Sequence, residues 1–163
     1  MFVDNLIIEP KIGIGMIKLG MSKSEVEHCI RSYSNQYDKL DKDPNYFHYV
    51  FTIEYDSLGK VNFIEVASHA KEQFNCLFKE IDIFNTKADE LVKLIDKISP
   101  YDRNHPEIGW TYSFPELGLS LWRSRIFNEE DTKEEWFKEM DVEEQEDELR
   151  FRYFETVSLF FHV

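Results

Sequence analysis

The sequence predicts an α+β domain: an antiparallel sheet with two capped helices packed on one face. Three observations lead there. Two segments with helix-start chemistry each run into an apolar stripe at helical spacing. Two pairs of alternating segments flank turn residues. The last thirteen residues read as one long aromatic strand. At 163 residues the chain fits a single domain able to bury roughly 70% of its unfolded surface. Its 42% apolar content is modest, but 14 Phe, 8 Tyr and 3 Trp supply large rings that compensate in buried area.

Leu6-Ile7-Ile8 reads as a short strand stopped by Pro10. The run Ile12-Gly13-Ile14-Gly15-Met16-Ile17-Lys18-Leu19-Gly20 reads as a turn feeding another short strand. Ser22-Lys23-Ser24-Glu25 is a capping box, in which serine and glutamate exchange bonds with each other's backbone amides. Val26, Cys29, Ile30 and Tyr33 follow at helical spacing and place a helix over 22–34. A polar loop over 35–45 then leads to a strand over 46–55. Asp56-Ser57-Leu58-Gly59-Lys60 turns that strand back onto a second one over 61–66. A further strand is expected over 76–84. Thr86 is expected to cap a second helix whose stripe is Leu91, Val92, Leu94, Ile95 and Ile98. Segments 110–114 and 117–122 read as a second hairpin around Pro115-Glu116, and 151–163 as the C-terminal strand.

A weak repeat runs through this order. Residues 17–25 and 81–89 share apolar, charged, apolar, two spacers, hydroxyl, lysine, small and acid, which divides the chain into units 12–75 and 76–128. The pattern reads equally as a duplication and as the common look of two capped helices after strands. Gly20-Met21-Ser22, Glu25-Val26 and the turn Asp56-Ser57-Leu58-Gly59-Lys60 make 14–66 resemble the small helix-plus-sheet modules of BamE and β-lactamase inhibitor protein. That resemblance implies a fold and carries no activity across. In acidity, size and the run from Tyr112 to Arg123, the chain is also similar to small Gram-positive toxin-immunity proteins. That likeness implies a protein-binding role.

The formal charge of −13 opposes contact with phosphate backbones and anionic lipid surfaces, so neither nucleic acid nor membrane is an expected partner. The start of the chain lacks a basic segment followed by a long apolar run, and two unpaired-looking cysteines form no framework. The expected location is the cytoplasm.

Motifs for chemistry are scarce. Gly13, Gly15 and Gly20 lack the Gly-Lys-Ser/Thr ending of a phosphate loop and read as turn glycines. The five histidines, His28, His48, His69, His105 and His162, pair with no Cys or His at ligand spacing, so no metal and no cofactor is expected. A small hydrolase or transferase with a site assembled across the fold around Cys29 or His69 stays open as an alternative, as does a structural protein that dimerises through its last strand. Arg123 and Arg125 read as neutralising nearby acids, or as lining a pocket for an acidic ligand.

The segment 129–148 stands apart. It holds twelve acids and two lysines, a local −10 of the total −13. Read functionally, it is a surface for a basic protein, with Glu134, Glu135, Glu139, Asp141, Glu143 and Glu144 steering the partner and Trp136 and Phe137 anchoring it. The competing readings are a solvated insertion and a helix that docks Trp136, Phe137 and Met140 on its own domain. The reading favoured by these observations is a non-enzymatic inhibitor or immunity-like module, monomer or homodimer, for a basic toxin or nuclease.

Overall fold

The computed structural model describes residues 4–37 and 45–161. Most of the expected polar loop, 38–44, and the last two residues of the expected final strand, His162 and Val163, lie outside the described residues.

The chain is α+β, with two five-stranded sheets where the sequence suggested one. The first half opens with β1 (Asp4–Glu9), β2 (Gly13–Ile14) and β3 (Ile17–Lys18), then α1 (Lys23–Tyr37). A short helix α2 (Tyr46–Val50) runs directly into β4 (Phe51–Tyr55), which returns as β5 (Val61–Ala67). A 3-10 turn over Ser68–Glu72 leads to β6 (Phe74–Phe78) and β7 (Ile81–Asp82). Then come α3 (Ala88–Asp96), β8 (Thr111–Phe114) and β9 (Leu119–Trp122). Beyond them lie a 3-10 turn over Glu129–Lys133, α4 (Glu135–Lys138), α5 (Val142–Leu149), a 3-10 turn over Arg150–Arg152 and β10 (Thr156–Phe160).

One sheet has the order β3-β2-β1-β6-β7 and the other β4-β5-β10-β9-β8. The pairs are antiparallel except β1 with β6, which run parallel with Leu6 opposite Cys76. The order edge strand, helix, hairpin occurs twice, as β3-α1-β4-β5 and as β7-α3-β8-β9, and the two hairpins flank β10.

The start of α1 follows its local chemistry. Ser22 N donates to Glu25 Oε1 and Glu25 N donates to Ser22 Oγ, both at 3.2 Å. The amide bond from Ser22 holds the Glu25 carboxyl below its usual range. The turn after β4 also follows its sequence. Asp56 Oδ1 accepts from Leu58 N at 2.9 Å and Lys60 N at 3.0 Å, and Gly59 takes φ 74°.

Four elements differ from expectation. Residues 46–50 are helical because Tyr46, Phe47 and Val50 are the buried set, a spacing of one turn rather than alternation. The expected strand over 76–84 is a tight hairpin. Phe74, Cys76 and Phe78 alternate inward, and Lys79 and Glu80 turn the chain with φ 48° and 69°. Thr86 does not cap the second helix: Lys87 holds the N-cap position and its side chain makes no cap bond. The final strand begins at Thr156, because Arg150–Arg152 form a 3-10 turn that buries Phe151, and Phe154 is buried in the link that follows it. β10 is then the middle strand of its sheet, bonded to β5 on one side and β9 on the other. It offers no free edge to a second copy, so the expectation of an exposed C-terminal edge does not hold.

An aromatic cluster joins the layers. Tyr33 on α1 stacks on Phe47 at 5.6 Å and Phe51 at 5.5 Å, and meets Phe74 edge-on at 5.7 Å. Its hydroxyl accepts from Met16 N at 2.8 Å, which fixes α1 to the β2–β3 turn.

Tyr46 reports on the integrity of this region. Its hydroxyl donates to His69 O at 2.7 Å. Burial, and then the charge of Glu72, push its pKa from the usual 10.0 up to about 12. A phenol whose folded pKa is raised contributes stability that is fully present below its unfolded pKa and is lost as pH rises through the folded one. Denaturant unfolding followed from pH 10 to 12 is therefore expected to show stability falling with pH, and falling less steeply in Tyr46→Phe. Equal slopes in the two proteins would contradict the assignment.

Candidate functional site

The acidic segment is built, not frayed. Asn128 N donates to Asp131 Oδ2 at 3.2 Å as the segment enters its 3-10 turn. Glu134 is the N-cap position of α4, and Phe137 N donates to its carbonyl at 3.2 Å. Asp141 caps α5 with a bond from Glu144 N to its Oδ1 at 2.8 Å, and Gln145 Nε2 reaches back to Phe137 O at 3.0 Å. Asp141, Glu143 and Glu144 sit at the positive end of α5, where negative charge is favoured.

The two ends of the segment are latched to the body by cations. Glu129 accepts from Arg152 Nη2 at 2.9 Å and lies 3.8 Å from Lys87 Nζ. Glu148 accepts from Arg125 Nη1 at 2.6 Å. Between them the acids are left over: Glu134, Glu135, Glu139, Asp141, Glu143 and Glu144 are all exposed, and none forms an ion pair among the described residues. The local like charge is an uncompensated electrostatic cost, spread over a surface open to water.

The two rings part ways. Phe137 is 7% exposed, so it has almost no surface to offer a partner. Trp136, next to it with the rings edge-to-face at 6.1 Å, is 42% exposed. Val142, which the sequence reading passed over, is 70% exposed on the same segment. Its signal was present: it is an apolar residue at the first position of a helix whose other residues, apart from the terminal Leu149, are all polar or acidic.

The alternative centres fall elsewhere. Cys29 is buried on α1, with Sγ 3.5 Å from Met16 O. Burial, and then the charge of Glu25, push its thiol up. Cys76 is buried in β6 and burial pushes its thiol up further. The His69 ring stands edge-on to Tyr46 at 5.6 Å. His48 lies 3.4 Å from Glu27, and His105 Nδ1 accepts from Glu107 N at 3.1 Å. Among the described residues no group of three or more His, Cys, Asp and Glu is placed to hold a metal ion, and no helix is long and apolar enough to cross a membrane.

Arg125 pairs with an acid, Glu148, whereas Arg123 forms no ion pair among the described residues, although the charge of Asp89 acts on it. Arg123 is 3% exposed and spends its bonds on backbone, Nε to Gly109 O and Nη1 to Phe151 O, both at 2.9 Å. Burial lowers its pKa. Protein-family models, curated proteins and solved structures give no match to this chain.

Proposed function

We propose that this chain is a non-enzymatic protein-binding module of the inhibitor or immunity type, which docks a basic protein such as a cationic toxin or nuclease. The observation that carries the reading is a folded acidic face whose ends are held by cations and whose middle acids are free. Long-range attraction between such a face and a positive partner raises the encounter rate and orients the approach. Trp136 is the exposed ring best suited to anchor the docked state, with Val142 beside it in sequence terms as a second apolar contact. Phe137 serves the partner indirectly, by fixing the segment that presents Trp136. Nucleic acid and anionic membrane surfaces are disfavoured as direct ligands by the same charge, and the cytoplasm is the compartment in which such a module would guard its host.

The test is association kinetics with cationic nucleases, including any toxin encoded beside this chain. Changing Glu134, Glu135, Glu139, Glu143 and Glu144 to Gln, and Asp141 to Ser to keep the cap, is expected to slow association by about tenfold or more at low salt. Wild-type association is expected to slow steeply with added salt, and Trp136→Ala to speed dissociation. An unchanged rate and affinity in the neutralised variant would remove the segment from the mechanism.

A further inference from the structure

A cavity of about 270 Å³ lies where the first turn of α3 faces the stretch after β9 and the 3-10 turns at Glu129–Lys133 and Arg150–Arg152, and it collects Lys87, Lys93, Arg123 and Arg152 around Phe127. Four cations converging on one concavity is unexpected in a chain of charge −13.

The cavity is short of acceptors. Arg123 is more than nine-tenths buried, and its bonds to Gly109 O and Phe151 O engage Nε and Nη1, with none from Nη2 among the described residues. Arg152 Nε is buried with no hydrogen-bond partner among the described residues. The start of α3, whose residues Lys87 to Glu90 line the cavity, lacks a side-chain cap, since Lys87 makes none. Of these donors Arg152 Nε is the buried one, and an unmet buried donor costs free energy. Asp89, Glu90 and Glu129 also line the cavity; among the described residues Glu129 is the one in ion pairs, to Arg152 and Lys87, and the charge of Asp89 acts on Arg123.

We propose that this cavity is a site for a small ligand bearing an oxyanion, phosphate or carboxylate, that bridges the Arg123 and Arg152 guanidiniums and the first amides of α3. Such a group supplies several strong acceptors at once, which is what paired arginines and a helix start are suited to hold. Phe127 is the apolar wall for the rest of the molecule. Glu129 is the built-in competitor: its carboxylate already draws on Arg152 and Lys87, and the ligand takes these contacts over. The site shares Glu129 and Arg152 with one latch of the acidic segment, and its test reads anion binding directly rather than docking of a partner.

The experiment is an NMR titration of the full chain with inorganic phosphate in one arm and acetate in the other. It follows the amides of Ala88, Asp89 and Glu90 and the Nε–H signals of the arginines. Saturable shifts at these groups are expected; their appearance with either anion supports the site, and the tighter arm names the ligand's acidic group. Arg152→Gln is expected to weaken binding and Glu129→Gln to tighten it, each by roughly threefold to fivefold, the scale of one partly exposed charge. Both side chains reach solvent but also form one latch of the acidic segment, so unchanged amide shifts away from the cavity are the check that each variant keeps the fold. Shifts that never saturate with either anion, or affinities equal in wild type and both variants, would overturn the assignment.

Discussion

Phe74→Ala is expected to lower the unfolding free energy by about 4 kcal/mol, the loss typical of a buried ring whose surroundings cannot collapse into the space. Phe74 is 2% exposed on β6, opposite Asp4 of β1 in the parallel pair that joins the two halves of the first sheet. Its ring is surrounded by others: Tyr37 at 5.2 Å, Tyr33 at 5.7 Å and Phe47 at 6.2 Å, from α1 and α2. These rings are held by different elements, so none can move in to fill the hole without dragging backbone with it. Phe74→Leu keeps most of the volume and is expected to cost under about 1.5 kcal/mol. Urea unfolding of both variants checks this. Equal, small losses would mean that the cluster is loosely packed and that α1 is not fastened through it.

Gly13→Ala is the second large effect, at about 3 kcal/mol. The reason is space, not backbone angle. A Cβ at Gly13 would overlap the carbonyl oxygen of Ile17 and lie 2.8 Å from Lys18 Cα. Both are backbone atoms of β3, the strand paired with it, with Gly13 opposite Lys18. Neither can swing aside as a side chain does, so β2 and β3 must separate. Gly20→Ala is the control. Its φ of 90° strains an alanine, but nothing stands within 4 Å, so about 1 kcal/mol is expected. If Gly13→Ala costs no more than Gly20→Ala, close backbone approach is not what requires glycine there.

The features legible in the sequence are those whose causes are local. The Ser22–Glu25 box and the Asp56 turn each bond within three or four residues, and the structure contains both. Local chemistry is hidden where composition points the other way. Residues 46–50 are rich in β-formers yet bury a helical set, because α2 must place Phe47 against Tyr33. The Lys79-Glu80 turn takes two positive φ angles without the Asn-Gly or Asp-Gly pair that announces such a turn. For the acidic segment, the charge was visible but the fate of its rings was not. Adjacent positions on a helix point about 100° apart, which separates Trp136 from Phe137 without saying which one faces inward. The latches Glu129–Arg152 and Arg125–Glu148 span 23 residues each, beyond any local pattern.

Taken by itself, the sequence determined the α+β class, the capped start of α1, the two hairpins and the concentration of negative charge near the end of the chain. Each follows from hydrogen bonds, periodicity or composition over a few neighbouring residues. Tertiary structure decided the rest: the split into two sheets, the parallel pairing of β1 with β6, the burial of β10 between β5 and β9, and the burial of Phe137 with Trp136 left exposed. It also brought Arg123 and Arg152 to one cavity at the start of α3. Contacts of that kind depend on which distant surfaces exclude water together, and no stretch of neighbouring residues encodes that choice.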